Sequence, residues 1–227
     1  MRIVRASTED IPKIAVDILR GAVHNVLEKK DECVLAIPGG RSATSTFNLL
    51  KEETLFPWKR VHIFMVDERL VSLTGTESNF RRAKEAFLDH LVKTRLLPEK
   101  NIHPFVHDGE AKKYAEKLKK YGGKFDIVLL GAGEDGHVAG LFPHHAALEA
   151  KTKRFVTLHD APKPPKDRMT ASRALIEDAD TAIVLFMGDS KKRAFKMFQE
   201  GRNDVEDCPA KMVLSAKNPY ALTDIRE

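Results

Sequence analysis

The chain of 227 residues is predicted to form one α/β domain, residues 1–227, with a single doubly wound, mostly parallel sheet and helices on both faces, a Rossmann-like arrangement. This prediction rests on two observations. Short apolar runs of strand length alternate with segments whose apolar residues have the three-and-four spacing of an amphipathic helix. Three of these runs end in polar segments, which is typical of strands that meet a ligand at the open edge of a parallel sheet.

The first half of the chain alternates helix and strand patterns. Apolar residues from Ile11 onwards share one helical face, and Cys33–Ile37 is a short apolar run that predicts a buried strand. Ser42 is expected to cap a helix that runs to Lys51. A second buried strand is predicted over 61–66, and a polar loop separates it from another amphipathic helix.

The second half repeats this alternation. The predicted elements are, in order, a helix over 110–121, strands over 125–130, 155–158 and 181–187, a helix over 190–200 and a strand over 211–214. A proline-rich loop over 162–165 is interpreted as a surface excursion, because strand and helix patterns resume beyond it without a change in composition. The loop is therefore not expected to divide the chain into two domains.

The charge and cysteine content exclude several classes of protein. The 38 Lys and Arg residues outnumber the 33 Asp and Glu residues and are spread along the chain, which suits a small anionic substrate. No run of five like charges, zinc-ligand spacing or RNA-binding motif is present, so no nucleic-acid partner is expected. Cys33 and Cys208 cannot form a disulfide framework, and no apolar stretch approaches the length of a membrane helix. We expect a cytoplasmic monomer or weak homodimer without a membrane partner.

A glycine turn follows the first predicted strand. Gly39 and Gly40 precede Arg41 and Ser42 at the start of a predicted helix, where free backbone N–H groups and small residues allow an anion to approach. Arg41 adds a positive charge. The turn is therefore a candidate phosphate-binding loop, although a plain strand-to-helix turn has the same composition.

A second glycine-containing loop follows the strand predicted over 125–130. The segment from Gly131 to Gly136 matches the dinucleotide fingerprint G-x-G-x-x-G, but Glu134 and Asp135 would stand where a pyrophosphate binds. We therefore interpret the loop as one that presents Asp135 and His137. A carboxylate two residues from an imidazole suits general-base chemistry near neutral pH, while a solvated surface pair is the alternative.

The third polar strand end is Asp67-Glu68-Arg69. By itself this triplet is equally compatible with solvated charges or a structural ion pair. The adjacent His144 and His145 have no third ligand at a useful spacing, so neither a metal nor another cofactor is expected.

Taken together and in order, these segments resemble the superfamily of 6-phosphogluconolactonases and glucosamine-6-phosphate isomerases. Nearly the whole chain takes part, through segments 38–42, 56–58, 66–69, 77–81, 125–131, 135–139, 141–143 and 168–170, Gly188 with Lys191, and 209–211. The substrate and phosphate ligands that the resemblance implies are Gly39, Gly40, Arg41, Ser42, Arg168 and Lys191.

Two positions separate the branches of this superfamily. Lactonases are similar to this chain in having arginine after Asp-Glu, whereas deaminases typically have tyrosine at the position of Arg69. Deaminases also carry a glutamate five residues after the loop histidine, where this chain has Phe142. The resemblance therefore favours the lactonase branch. Gly140 stands where serine is usual and Ala43 where proline is common, and we expect these departures to affect substrate fit more than the reaction.

Membership of the lactonase branch implies hydrolysis of a phosphosugar lactone, 6-phospho-D-glucono-1,5-lactone, to 6-phosphogluconate without a cofactor. His137 would take a proton from the attacking water, Asp135 would orient the imidazole, and Arg69 would face the developing oxyanion. Asp67 is a further catalytic candidate. No Gly-x-Ser-x-Gly elbow occurs, so no nucleophilic serine of that type is expected.

Two other functions remain open. A glucosamine-6-phosphate deaminase would use Asp67 to move a proton between adjacent sugar carbons. A non-catalytic sugar-phosphate sensor would keep the fold without the reaction. No helix-turn-helix pattern precedes Ile11 and the candidate catalytic residues are all present, which favours an enzyme.

Overall fold

The computed structural model describes residues 1–106 and 111–226 and has a parallel sheet of seven strands at its centre. The strands in the described residues are β1 (Arg2–Arg5), β2 (Cys33–Ile37), β3 (Val61–Met65), β4 (Asp67–Arg69), β5 (Ile102–His103), β6 (Ile127–Gly131), β7 (Phe155–Leu158), β8 (Arg168–Ala171), β9 (Thr181–Phe186) and β10 (Asn218–Thr223). The main sheet has the order β1-β10-β9-β6-β2-β3-β5, and its described pairings are all parallel. The predicted α/β fold is confirmed.

Helices cover both faces of this sheet. They are α1 (Asp10–Leu27), α2 (Arg41–Leu50), α3 (Asn79–Ala83), α4 (Asp89–Lys93), α5 (Ala111–Lys119), α6 (Arg173–Glu177) and α7 (Lys192–Gln199), with a π-helical segment, Lys84–Leu88, joining α3 to α4. Side chains alternate across β2, so Val34 and Ala36 face one apolar cluster while Leu35 and Ile37 face the other. The first cluster includes residues of α5, α6 and α7, and the second includes residues of α1 to α4. Burial on both faces explains why the central strands are continuous apolar runs.

The chain reverses direction across the sheet between β2 and β6. From β2 it proceeds outward through β3 to β5, and it then returns to place β6 on the other side of β2. The loops that follow β2 and β6 therefore leave the sheet next to each other and lead to opposite faces. In open α/β sheets this switch point is where ligands bind.

A second, antiparallel sheet of three strands stands beside the first. Its order is β4-β8-β7, and its register places Asp67 opposite Thr170 and Arg69 opposite Arg168. The predicted strand over 155–158 is β7 of this sheet. Because β4 starts directly after β3, the small sheet brings Asp67 and Arg69 to the carboxyl edge of the main sheet.

Several boundaries differ from the sequence predictions. The strand predicted over 211–214 is wrong: Pro209–Ser215 is a 3₁₀ helix, with proline in its first turn, and the last strand is β10. Ser42 is not the N-cap of α2, because Gly40 holds the extended N-cap conformation and the helix begins at Arg41. In the helix predicted over 110–121, residue 110 lies outside the described residues, and α5 ends at Lys119.

Within residues 1–106 and 111–226, no helix combines the length and the apolar character needed to cross a bilayer.

Candidate active site

An open cleft of about 730 Å³ lies at the switch point of the sheet. Loops that follow β2, β6 and β9 form part of its wall, together with residues of β4, β8 and the proline-rich loop. The predicted site residues that line it are Gly40, Arg41, Ser42, Arg69, His137, Arg168 and Lys191. Gly39, Asp67 and Asp135 are not on this wall. The structure thus brings together residues from five widely separated parts of the sequence.

The loop after β6 holds an imidazole against a carboxylate. Nδ1 of His137 lies 2.5 Å from Oδ1 of Asp135. The loop is closed by the N–H of Gly133, which donates to the carbonyl of His137 at 2.8 Å. A Cβ at Gly133 would stand 2.0 Å from Nδ1 of His137, so only glycine leaves room for the ring. His137 lines the cleft, and among the described residues its Nε2 has no hydrogen-bond partner.

Asp135 has a second partner that the sequence did not predict. Nζ of Lys163, in the proline-rich loop, lies 3.1 Å from Oδ2 of Asp135. Partial burial by itself raises the pKa of this carboxyl, but the hydrogen bonds and charges of His137 and Lys163 outweigh it and hold the pKa well below its usual range. Asp135 is therefore a carboxylate at every pH at which the protein is expected to work.

Asp67 is buried behind the cleft. Nδ2 of Asn79 donates to its Oδ2 at 3.0 Å and to its backbone oxygen at 3.1 Å. Burial raises the pKa of Asp67, while the nearby charges of Arg69 and Arg168 oppose the rise. A Cβ at Gly39 would overlap the Asn79 side chain, so Gly39 provides the close approach of the β2 loop to Asn79 and does not line the cleft.

Glu68 fixes the backbone between Asp67 and the start of α3. Its carboxylate accepts from the N–H groups of Arg69 and Asn79 at 2.7 Å and of Phe80 at 2.8 Å, and from the Ser78 hydroxyl at 3.1 Å. Such a saturated carboxylate resists reorientation, because each oxygen has two donors. This role was not predicted from the triplet, since three of the four donors lie 10, 11 and 12 residues further along the chain.

Arg69 is held by one end of its guanidinium group. Its Nη1 donates to the backbone oxygen of Glu77 at 2.8 Å and to Oε2 of Glu77 at 3.1 Å. Its Nε is buried without a hydrogen-bond partner in the described part of the chain. Arg69 lines the cleft, and Nη2 is the guanidinium nitrogen that these contacts leave for an oxygen atom of a ligand.

Arg168 donates hydrogen bonds mainly to backbone carbonyls of the proline-rich loop. Its Nε donates to the carbonyl of Pro165 at 2.9 Å, and its Nη2 donates to those of Lys163 and Pro164 at 3.0 and 3.2 Å. Its guanidinium carbon lies 5.3 Å from the centroid of the Phe142 ring. The side chain therefore shapes the proline-rich loop, and Nη1 is the nitrogen that these contacts leave for a substrate.

Further positive charge lines the cleft around the first turn of α2. The first turn of α2 has no side-chain cap, and Arg41 and Ser42 stand there at the cleft wall. Lys191 follows β9 in a 3₁₀ turn, where burial lowers its pKa, Glu134 opposes that change, and Lys163 adds to it. A helix N-terminus beside a lysine and an arginine is an arrangement that binds phosphate.

The adjacent His144 and His145 make contacts with other groups of the protein. Nδ1 of His145 accepts from the N–H of Ala147 at 3.1 Å, and Nε2 of the exposed His144 lies 3.3 Å from Asp207. No group of three potential ligands is close enough to hold a metal ion within the described residues. Phe142 is buried, with its ring centroid 4.6 Å from that of His137.

The family comparison matches nearly the whole chain. Residues 6–222 match the family described as glucosamine-6-phosphate isomerases/6-phosphogluconolactonase. The 6-phosphogluconolactonase of Borreliella burgdorferi is 28% identical over 205 residues, covering 88% of this chain and 87% of that protein. The GDH/6PGL endoplasmic bifunctional protein of Homo sapiens is 34% identical over 221 residues, covering 92% of this chain and 27% of that protein.

Solved structures share the fold. The 6-phosphogluconolactonase of Thermotoga maritima superposes with a TM-score of 0.82 at 23% identity, covering 98% of this chain and 97% of that one. A monomeric glucosamine-6-phosphate deaminase superposes with a TM-score of 0.79 at 21% identity, covering 98% and 97%. Because both branches share the fold, the distinction between them depends on the residues in the cleft.

Proposed function

The chain belongs to the family of glucosamine-6-phosphate isomerases and 6-phosphogluconolactonases, and we propose that within it this protein hydrolyses 6-phospho-D-glucono-1,5-lactone to 6-phosphogluconate. The single observation that carries this choice is the surroundings of His137. Its ring contacts Asp135 on one side and the buried Phe142 on another, so an aromatic ring occupies the position at which deaminases carry a ring-opening glutamate. The curated relatives named above support the same choice.

Binding and chemistry occupy separate ends of the cleft in this proposal. The first turn of α2, with Arg41 and Ser42, and the ammonium of Lys191 hold the phosphate and so place the lactone carbonyl near His137. A group remote from the reacting carbon then orients the substrate. Arg168 adds a contact through Nη1.

Nε2 of His137 accepts a proton from a water molecule as the water oxygen attacks the lactone carbonyl. Asp135 keeps the imidazole in the tautomer whose Nε2 is free, and stabilises the imidazolium that forms. The guanidinium of Arg69, which lines the cleft, stabilises the developing oxyanion. The ring oxygen then leaves and takes up the proton from His137, which yields the hydroxy acid.

The test is titration of the acid released from freshly made 6-phosphogluconolactone at slightly acidic pH, where spontaneous opening is slow. Release well above the background is expected. Ammonia release from glucosamine 6-phosphate, measured on the same preparation, is expected to be absent. Ammonia release without lactone opening would replace this proposal by the deaminase, with Asp67 as its proton carrier.

We propose a cytoplasmic monomer or weak homodimer, a single domain, and no nucleic-acid or membrane partner. Light scattering across a concentration series and a nucleic-acid retention assay test the oligomeric state and the nucleic-acid expectation.

A further inference from the structure

The proline-rich loop between β7 and β8 places the ammonium of Lys163 beside the carboxylate of Asp135. The two oxygens of Asp135 have different partners: Oδ1 contacts Nδ1 of His137 at 2.5 Å, and Oδ2 pairs with Nζ of Lys163 at 3.1 Å. We propose that Lys163 is a positioning residue, which fixes the orientation of the Asp135 carboxylate and limits how strongly that carboxylate favours the protonated form of His137. This inference rests on the reaction proposed above.

The backbone of Lys163 is held in place by hydrogen bonds to its loop. Arg168, a buried residue of β8, donates to the carbonyls of Lys163, Pro164 and Pro165. The N–H of Leu70 donates to the carbonyl of Asp167 at 3.0 Å, which ties the end of the loop to the segment after β4. The backbone of Lys163 is therefore fixed relative to the strands that carry the cleft, so its side chain starts from a defined point.

An aromatic ring joins this loop to the catalytic histidine. The Phe142 ring packs against the His137 ring at 4.6 Å between centroids and against the Arg168 guanidinium at 5.3 Å. The elements that carry Lys163 and His137 are thus in contact through Phe142 as well as through Asp135. A change at Lys163 is expected to reach His137 through the carboxylate, since the aromatic packing remains.

The charges around the pair determine the sign of the effect. Asp135 and the buried Asp67 interact electrostatically with His137, and Lys163 pairs with Asp135 from its far side. Lys191, Glu134 and Arg41 stand at the phosphate end, where Lys163 and Lys191 influence one another. Removing the Lys163 charge leaves the carboxylate to act on the imidazole alone, so the imidazole gains a proton more readily. The acid limb of the pH–rate profile should then move to higher pH.

A direct role in substrate binding is the competing interpretation. Lys163 lines the cleft and its side chain is 41% exposed, so it is within reach of solvent and of an anionic ligand. That role would raise KM at every pH and leave the acid limb in place. An ordinary exposed ion pair would change neither quantity.

The experiment compares K163M and K163R with K166M, a control in the same loop whose lysine is exposed and does not line the cleft. In K163M, the acid limb of kcat/KM is expected to move up by roughly half a pH unit, a size typical of a partly exposed pair, with KM changed less than twofold. K163R should lie near the wild type because it keeps the charge, and K166M should match the wild type. A raised KM with an unmoved limb, or a K163M profile identical to that of K166M, would overturn the proposal.

A second readout separates this inference from the proposed reaction. The pH titration of the His137 ring by NMR, assigned from the signal lost in H137N, needs no substrate. Its midpoint should move to higher pH in K163M and stay in place in K166M. If the wild type opens no lactone but the midpoint still moves in K163M, the proposed reaction alone is overturned. Active protein whose midpoint does not move would overturn the role of Lys163.

Discussion

Two histidines of this chain make nearly the same contact with a carboxylate, and they lie in very different surroundings. Nδ1 of His137 is 2.5 Å from Asp135, and Nδ1 of His159 is 2.6 Å from Asp167. The His137 and Asp135 side chains are 18% and 34% exposed, whereas those of His159 and Asp167 are 72% and 57% exposed. The contact alone therefore does not mark a catalytic pair.

The difference lies in what surrounds each pair. The loop of His137 leaves β6 at the switch point of the sheet, and the N–H of Ala210 donates to the carbonyl of Gly136 at 2.9 Å to brace it. His159 follows β7 in the small sheet and has no place on the wall of the cleft. Position relative to the strand ends, and not the residue pair, separates the candidate base from a surface histidine.

The largest expected difference is between H137N and H159N. Asparagine removes the basic nitrogen from either position, but only His137 faces the cleft. H137N should lower turnover by roughly 100-fold or more, the usual scale for a lost general base, and H159N should leave it unchanged. Background-corrected rates of both purified variants, with folding checked by circular dichroism, test the comparison. Normal turnover in folded H137N would leave Asp67 as the next candidate base.

A similar but smaller contrast is expected for the carboxylates. D135N should lower turnover roughly tenfold or more, because the Lys163 ammonium takes the amide oxygen and turns the N–H₂ group towards Nδ1 of His137, which favours the wrong tautomer. D167N should behave like the wild type. If D135N and D167N lost the same activity, the contrast between the two histidine–aspartate pairs would be wrong.

The phosphate end of the cleft should respond differently from the chemical end. K191A and R41A are expected to raise KM by about tenfold with little change in turnover, because both cations contact a group remote from the reacting carbon. K192A is the control: its lysine pairs with Asp189 at 2.9 Å and is not on the cleft wall. Lost turnover at unchanged KM in K191A and R41A would overturn the assignment.

The smallest expected effect is that of a chelator. The candidate site combines one imidazole, carboxylates and cations, and the described residues bring no metal-ligand cluster together. Activity after dialysis against EDTA should equal that of an untreated sample. Inactivation that added zinc reverses would contradict this expectation.

The sequence predicted β2, β3, β6 and β9 of the main sheet because these strands are buried and read as apolar runs, and it missed β5, which has only two residues. It missed β1, which is four residues long and has two exposed ends, and it placed the last strand too early because β10 contains Pro219. Asp67, Arg69, Asp135 and His137 were identifiable because each directly follows a strand.

The supporting contacts of the site were harder to predict. Lys163 lies in a loop that the sequence assigns to the surface, and its partner is distant along the chain. The contact between His159 and Asp167 is also not evident from the sequence, since the aspartate lies eight residues beyond the histidine. Such contacts depend on how the small sheet stands against the main one, and no local pattern encodes that placement.

The most direct test of the central claim, that His137 is the base of a lactone hydrolase, is the pH dependence of kcat/KM for 6-phosphogluconolactone in the wild type, H159N and H137N. Asp135 remains ionised because its pKa lies well below the usual range, so an acid limb that is lost in H137N reports His137 and not the carboxylate beside it. The wild type and H159N should lose activity together as the pH falls, and the residual rate of H137N should have no such limb. An acid limb that persists unchanged in H137N would contradict the account.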